Sequence, residues 1–289
     1  MRAEDVTRID QALQSWRQGD VVFDDSVFFL HLADLMTPLT TEAQETAKTR
    51  LDSGEGVAVE GVASVVPGVV VVTQTCDIVR SCDVRPYVEV SPLIQVRQDF
   101  LSEVRRLQRP AFAHLPAVAT QGLVADLDRT MTVEKAVVAT WERTPGWNTD
   151  AESRAFAEAL SRKRARFAFP NDFVAAARGL QDHIKRRHNR HNSEGAHLRS
   201  LREIRVRAAP SWDHPTVSLF LWFVKETDPL GFEPEWHAYS DKWTDRLDTT
   251  GRFTVDGAIA CWLGEMTAQD YVESDRLDLD QLSSHDSHR

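Results

Sequence analysis

The chain is poor in cysteine, in tyrosine and in long apolar runs: 289 residues hold three cysteines and three tyrosines. Cys76, Cys82 and Cys261 are too few and too scattered for the disulfide framework of a small secreted scaffold. The opening residues, MRAEDVTRID, are charged and carry no apolar stretch of the signal-peptide kind. The most apolar early run, 57–72, is interrupted by Glu60, Pro67 and Gly68 and is too broken to cross a bilayer. These absences predict a cytoplasmic protein with no membrane partner. A phosphate-binding loop, a dinucleotide fingerprint, a G-x-S-x-G elbow and an H-E-x-x-H pair are also missing, which disfavours nucleotide-driven and hydride chemistry; no cofactor is expected.

What is present describes an ordinary globular chain, with 42% hydrophobic and 27% charged residues. Its length suits one large domain or two of ordinary size. Ile9, Leu13 and Trp16 fall at helical spacing and predict an N-terminal amphipathic helix ended by Gly19. Residues 20–32 read as extended and 40–51 as helical. The unbroken β-branched run Val69–Thr73, entered through the turn signal Pro67-Gly68, predicts a strand buried on both faces. A strand over Tyr87–Val90 is expected to stop at Ser91-Pro92. Residues 98–107 read as a helix, 123–127 as a strand, and 132–141 as either. After the loop TPGWNTD (144–150), capped by Asp150, come a helix to about Arg166 and a second one from Phe173 to about Arg190. That second helix places Phe173, Ala176, Ala177, Leu180 and Ile184 on one face. Two strands, 204–207 and 217–224, then form a hairpin, followed by a short strand at 253–255 and a short helix from Thr267. The expected fold class is α+β. A strand-rich domain would span residues 1–146, a helix-plus-β-hairpin domain 147–282, and a disordered polar tail 283–289.

Gln74-Thr75-Cys76-Asp77 is the sharpest local feature. Polar residues at the end of a buried strand are held by a fixed backbone, which suits a site. Cys76 would be the nucleophile of a hydrolase, with Asp77 beside it in the catalytic site, if His114 served as base and Asp126 or Asp128 oriented it. The competing assignment makes Cys76 a small buried hydrophobe and Asp77 a turn cap. Cys76 and Cys82, with five residues between them, are spaced too widely for a zinc knuckle. His183, His188, His191 and His197 cluster in sequence, but Lys185, Arg186, Arg187 and Arg190 among them oppose a dication. No metal is therefore expected. Glu203-Ile204-Arg205 has the shape of an acidic-x-basic nuclease element, with Asp172 or Asp182 as the second carboxylate; Arg there cannot shuttle a proton.

Charge is the clearest asymmetry. The chain carries −10 overall, yet residues 162–207 hold 13 Lys and Arg against 4 Asp and Glu, and 226–289 hold 5 against 15. The basic segment predicts an anionic partner, nucleic acid foremost or an acidic protein, bound through Arg166, Lys185, Arg186, Arg187 and Arg190. Phe167 and Phe169 beside Arg166 would add base stacking. Trp212, Trp222, Trp236, Trp243 and Trp262 read as core and interface packing. Two alternatives stand beside this reading: the Cys76 hydrolase, and a structural subunit of a larger assembly whose basic segment pairs internally with the acidic tail.

Gly19-Asp20-Val21-Val22, the run Val69–Thr73 and the strand end Val90-Ser91-Pro92-Leu93 together resemble the strand order of SH3-like-barrel toxin ribonucleases of bacterial toxin–antitoxin modules. The resemblance covers residues 19–96 and implies an SH3-like β-barrel with helical insertions in the N-terminal half. That family carries an Arg just before the valine-rich strand, where this chain has Val66, Pro67 and Gly68. It carries a Thr or Ser soon after the proline, where this chain has Leu93. The family's catalytic residues do not carry over, so the resemblance implies a barrel and no ribonuclease site. The stretch Gln74–Ile78 is also similar to one in uncharacterised bacterial proteins, which again points to a bacterial source and implies no activity.

Overall fold

A computed structural model describes residues 2–23, 28–105, 109–165, 167–232 and 235–277. The chain divides into two compact units, residues 1–165 and 166–289. The boundary expected in the loop 144–150 thus falls later, because the helix after that loop packs Phe156 and Ala159 into the core of the first unit.

In the first unit, α1 (Ala3–Leu13) buries Ile9 and Leu13, and Trp16 follows them into the same cluster. Two short strands follow, β1 (Val21–Val22) and β2 (Phe28–Asp34), then α2 (Thr41–Asp52), whose Thr40 side chain caps the Ala43 amide. The next strands are β3 (Val59–Val65) and β4 (Val69–Val71). Among the described residues β2 pairs only with β3, as a separate two-stranded ribbon, whereas β4 pairs with both β1 and β5 (Tyr87–Gln95). All three β4 valines are fully buried, as their unbroken β-branched run predicts. Burying each contributes roughly 1.5–3 kcal/mol relative to exposure.

The strand run ends at Val71, and Thr75–Ile78 forms a single helical turn, α3. β5 does not stop at Pro92. Leu93 donates to Gly68 across the β4 edge, so the Pro92 nitrogen faces the opposite edge. On that edge pairing to β8 (Met131–Glu134) has ended at Val90 and pairing to β7 (Leu123–Asp126) begins at Leu93, so no ladder bond is lost. Between β5 and β7 lie α4 (Gln98–Arg105), β6 (Phe112–Ala113) and α5 (Pro116–Ala119). The ambiguous stretch 132–141 contains both element types, β8 and then α6 (Lys135–Val138). α7 (Asp150–Arg164) is capped by Thr149 in a capping box with Glu152, not by Asp150.

The main sheet runs β1-β4-β5-β7-β6, with β8 alongside β5. Among the described residues it is an open sheet. β1 and β6 are its two ends and do not pair, so the closed barrel expected for this half is not formed.

The second unit is built on α8 (Asn171–Arg187) and α9 (Ser193–Arg199), followed by β9 (Leu201–Ala209), β10 (Val217–Lys225), α10 (Trp236–Thr244), β11 (Phe253–Trp262), α11 (Ala268–Glu273) and β12 (Asp275–Leu277). The expected hairpin is present as β9 and β10, within a four-stranded sheet of order β11-β10-β9-β12. β11 is far longer than the expected 253–255 and runs parallel to β10. Asp256, Gly257 and two alanines hide it in the sequence. Gly257 is required there, because a Cβ would lie 2.8 Å from the Phe220 ring. The α8 stripe Phe173, Ala176, Ala177, Leu180 and Ile184 packs with β10 residues Val217, Leu219, Leu221 and Phe223 in one core, as its helical spacing predicts. The expected tail 283–289 lies outside the described residues. No helix among the described residues is long and apolar enough to cross a membrane.

Candidate functional site

The Gln74–Asp77 turn is anchored from below. Lys135, fully buried, donates its ammonium to the Asp77 carbonyl at 2.8 Å and the Arg80 carbonyl at 2.6 Å. Burial pulls the Lys135 ammonium below its ordinary pKa, and the nearby Asp10 carboxylate opposes that shift. Asp10 in turn accepts from the Ser81 hydroxyl at 2.6 Å and the Cys82 amide at 2.8 Å. Thr75 Oγ1 accepts from the Gln18 amide at 3.1 Å, which ties the turn to the segment before β1.

Cys76 is exposed on this turn, and its Sγ lies 3.7 Å from Gln74 Oε1. Among the described residues no base approaches it. His114 is half-buried elsewhere in the unit. Burial holds its pKa down, the Arg105 charge adds to that, and Glu152 opposes it. The carboxylates proposed to orient His114 are engaged with cations instead: Asp126 with Arg129 Nε at 2.8 Å, and Asp128 with Lys163. Asp77 stands 3.7 Å from Arg80 Nε. Among the described residues no hydrogen bond or ion pair joins Cys76, His114 and Asp126.

The histidines of the second unit also diverge. His183 Nε2 meets Glu194 Oε1 at 2.7 Å in the buried interior. His197 is fully buried between the Trp236 and Tyr239 rings. His188 contacts Asn189, and His191 is exposed. Among the described residues no group of three or more His, Cys, Asp or Glu converges as a metal site. Glu203 and Arg205 do face each other, but both are buried, with Arg276 Nε also 3.5 Å from Glu203. The second carboxylates considered for them lie elsewhere: Asp172 pairs with Arg252, and Asp182 is exposed on α8.

The basic segment splits in two. Its strand half is neutralised at home. Arg205 donates to Ser274 and to the Tyr271 carbonyl and lies 3.9 Å over the Tyr271 ring, while Arg207 pairs with Asp270 and Glu273. Period two sends Arg205 and Arg207 to the sheet face opposite the core, and α11 lies against them there. In its helical part Lys163 and Arg164 pair with Asp128 and Glu89, whereas the end of α8 is open. Lys185, Arg186, Arg187 and Arg190 are all exposed at the C-terminal end of α8 and the turn after it, and Arg202 is exposed near the start of β9. Arg187 is 3.8 Å from Glu194; Lys185, Arg186, Arg190 and Arg202 have no carboxylate within ion-pair distance among the described residues.

Arg166 lies outside the described residues. Phe167 and Phe169 pack on each other and on Trp212, with centroids 5.2–5.7 Å apart, so their rings serve an aromatic cluster that includes Phe173.

Glu194 fastens the helices beneath the open cations. Besides His183, its Oε1 accepts from Lys242 Nζ at 3.1 Å and Trp243 Nε1 at 3.2 Å. Burial alone would raise the Glu194 pKa, but the hydrogen bonds from His183, Lys242 and Trp243 outweigh it and hold the carboxyl below its ordinary range. No sequence signal announces this cluster, since its members come from α8, α9 and α10.

Sequence reasoning also missed a cleft of about 240 Å³ in the first unit, lined by Ser15, Arg17, Asp20, Arg143, Pro145 and Trp147. Its two walls come from segments 123 residues apart, joined by the Arg143–Asp20 contact.

Fold and site together define a mixed α+β protein of two compact units, with Lys185, Arg186 and Arg190 of the second exposed and without a carboxylate partner among the described residues. No family model matches this chain, and no curated protein matches it.

Proposed function

We propose that this protein binds nucleic acid through the C-terminal end of α8. The observation that carries the reading is the set of exposed, unpaired cations at Lys185, Arg186 and Arg190, with exposed Arg187 among them, in a chain of net charge −10. Cations at a helix C-terminus complement the helix dipole, which accounts for one or two of them at about 0.3–1 kcal/mol each. Four exposed charges, Lys185, Arg186, Arg187 and Arg190, exceed that need. Where this chain neutralises arginines it does so with nearby carboxylates, as for Arg207 and Arg252, whereas Lys185, Arg186 and Arg190 are left open. Phosphate contacts by such side chains release condensed counterions and give sequence-independent affinity that falls with salt. The hydrolase alternative is less favoured, because among the described residues Cys76 has no base beside it.

The test is a titration of labelled duplex and single-stranded DNA and RNA with the full chain at low salt. Saturable binding that an excess of unlabelled polymer displaces supports the reading. Absence of binding to every polymer at low salt overturns it. A second reading, internal pairing of basic and acidic segments, is favoured for the strand half by the Arg205 and Arg207 contacts. It predicts that Arg207→Ala destabilises the fold and leaves polymer binding unchanged.

A further inference from the structure

The cleft in the first unit has no role in the reading above, and its construction is unusual. Two backbone segments are pressed together by glycines. A Cβ on Gly146 would lie 1.9 Å from the Gly19 carbonyl oxygen, and one on Gly19 would lie 2.8 Å from the Trp147 ring. Gly19 also has φ +92°, a conformation that favours glycine. The seam is stitched by backbone bonds in both directions between Val21 and Thr144, and by Trp147 Nε1 donating to the Gln18 carbonyl at 2.8 Å. This seam fixes where Arg17 and Arg143 emerge.

Both guanidiniums line the same cleft. Asp20, 2% exposed, accepts from the Arg17 amide at 2.7 Å and from Arg143 Nη1 at 3.1 Å. A buried carboxylate is costly, and the backbone seam already joins the two segments without it. Its distinct effect is to orient the Arg143 fork, which keeps four of its five N–H donors free of Asp20. The Arg17 guanidinium has no carboxylate within ion-pair distance among the described residues, and its Cζ lies 5.5 Å from the centre of the Trp147 ring. The cleft is thus lined by Arg143, held by Asp20, by the exposed Arg17 beside the Trp147 ring, and by Ser15, Trp147 and Pro145. Arg17, Arg143 and Asp20 sum to +1.

We infer that this cleft is a binding site for a small oxyanion, a phosphate monoester whose phosphoryl group is held by Arg17 and Arg143 and whose organic part lies against Trp147 and Pro145. Guanidinium forks match the geometry of phosphate oxygens and bind them through paired N–H donors. The volume exceeds that of a bare phosphate and leaves room for a sugar-sized group. Asp20 is a positioning residue: it acts through Arg143 and need not touch the ligand. The site is independent of the nucleic-acid reading, because the residues belong to the first unit and the ligand is a small molecule.

Isothermal titration calorimetry on the full chain, with ribose 5-phosphate, ribose and inorganic phosphate as probes, tests the assignment. Ribose 5-phosphate is expected to bind saturably and ribose not at all. Arg17→Ala, a change of an exposed side chain, is expected to weaken the phosphate ester at least tenfold with the thermal midpoint unchanged. Arg143→Lys, which keeps a cation beside Asp20, is expected to weaken it as well. Tighter binding of ribose 5-phosphate than of inorganic phosphate supports a monoester as the ligand; equal affinities retain the oxyanion site and make free phosphate its ligand. No saturable binding of either phosphate probe at millimolar concentration, or binding that both variants leave intact, overturns the proposal.

Discussion

Removing the Glu194 carboxylate should unfasten α8, α9 and α10 at once. In Glu194→Ala, His183 and Trp243 lose an acceptor inside the core, where the His183 side chain is 6% exposed and Trp243 0%. Each orphaned buried donor costs about 1–3 kcal/mol. Lys242 and Arg187 lose a partner too, but their side chains are 43% and 46% exposed, so water screens the loss and they add at most about 1 kcal/mol together. The expected destabilisation is therefore roughly 2–7 kcal/mol, a range that includes the cost of breaking a buried ion pair from one side. Glu194→Gln keeps a carbonyl acceptor and removes only the charge, so it should cost less, roughly 1–2 kcal/mol. Urea unfolding followed by tryptophan fluorescence measures both, since Trp243 is itself in the cluster. The sign with pH follows from the depressed carboxyl. Its stabilising contribution is complete above the ordinary carboxylate pKa and disappears as pH falls through the lower, folded-state value. A Glu194→Ala protein within about 0.5 kcal/mol of the parent at neutral pH would refute the reasoning.

Four further outcomes follow from the structure. One thiol, the exposed Cys76, should react promptly with a thiol reagent in the native protein, while the buried Cys82 and Cys261 react only in denaturant; three fast thiols in the native state would contradict the packing. Lys135→Met removes the ammonium beneath the Gln74–Asp77 turn and leaves the Asp77 and Arg80 carbonyls without that donor, so unfolding in urea should show a loss of about 1–3 kcal/mol. Burial depresses the His114 pKa below 6.5, so its neutral form stabilises the fold above that pH, and stability should fall as pH drops through 6.5 toward the folded value; His114→Gln should flatten that part of a denaturation–pH profile. Gly146→Ala places a methyl against the Gly19 carbonyl oxygen and should cost roughly 3 kcal/mol or more, read as a lowered thermal midpoint.

Local pattern made some of this legible. The β-branched run at Val69 and the i, i+3, i+4, i+7 spacing of α8 each name a buried face, because one strand or helix contains the whole signal. β11 carries no such signal. It is an edge strand whose Gly257 and alanines serve the neighbouring Phe220 ring and the core, so composition alone does not reveal it. The basic segment was legible as a count but not as a surface. Arg205 and Arg207 look equivalent to Arg186 and Arg190 in the sequence, and only the alternation of β9 and the approach of α11 separate paired from open cations. The Cys76, His114 and Asp126 combination rested on residue types, and chain distance says nothing about whether such residues meet. The Arg17–Arg143 cleft needed two segments 123 positions apart, and its faint local traces are the Gly19-Asp20 and Pro145-Gly146 pairs.

The central claim is that the end of α8 contacts phosphate. It is tested most directly by comparing the salt dependence of duplex DNA binding between the parent and the Lys185→Ala, Arg186→Ala, Arg187→Ala triple variant, using fluorescence anisotropy. Each duplex phosphate contact contributes about −0.9 to the slope of log affinity against log salt, so losing three should make the slope shallower by up to roughly 2.7. The variant should unfold within about 1 kcal/mol of the parent, because these side chains are exposed and the Arg187–Glu194 contact is screened by water. A shallower slope with stability inside that range is the predicted result. An identical slope in parent and variant, or no binding by the parent at low salt, would contradict the account.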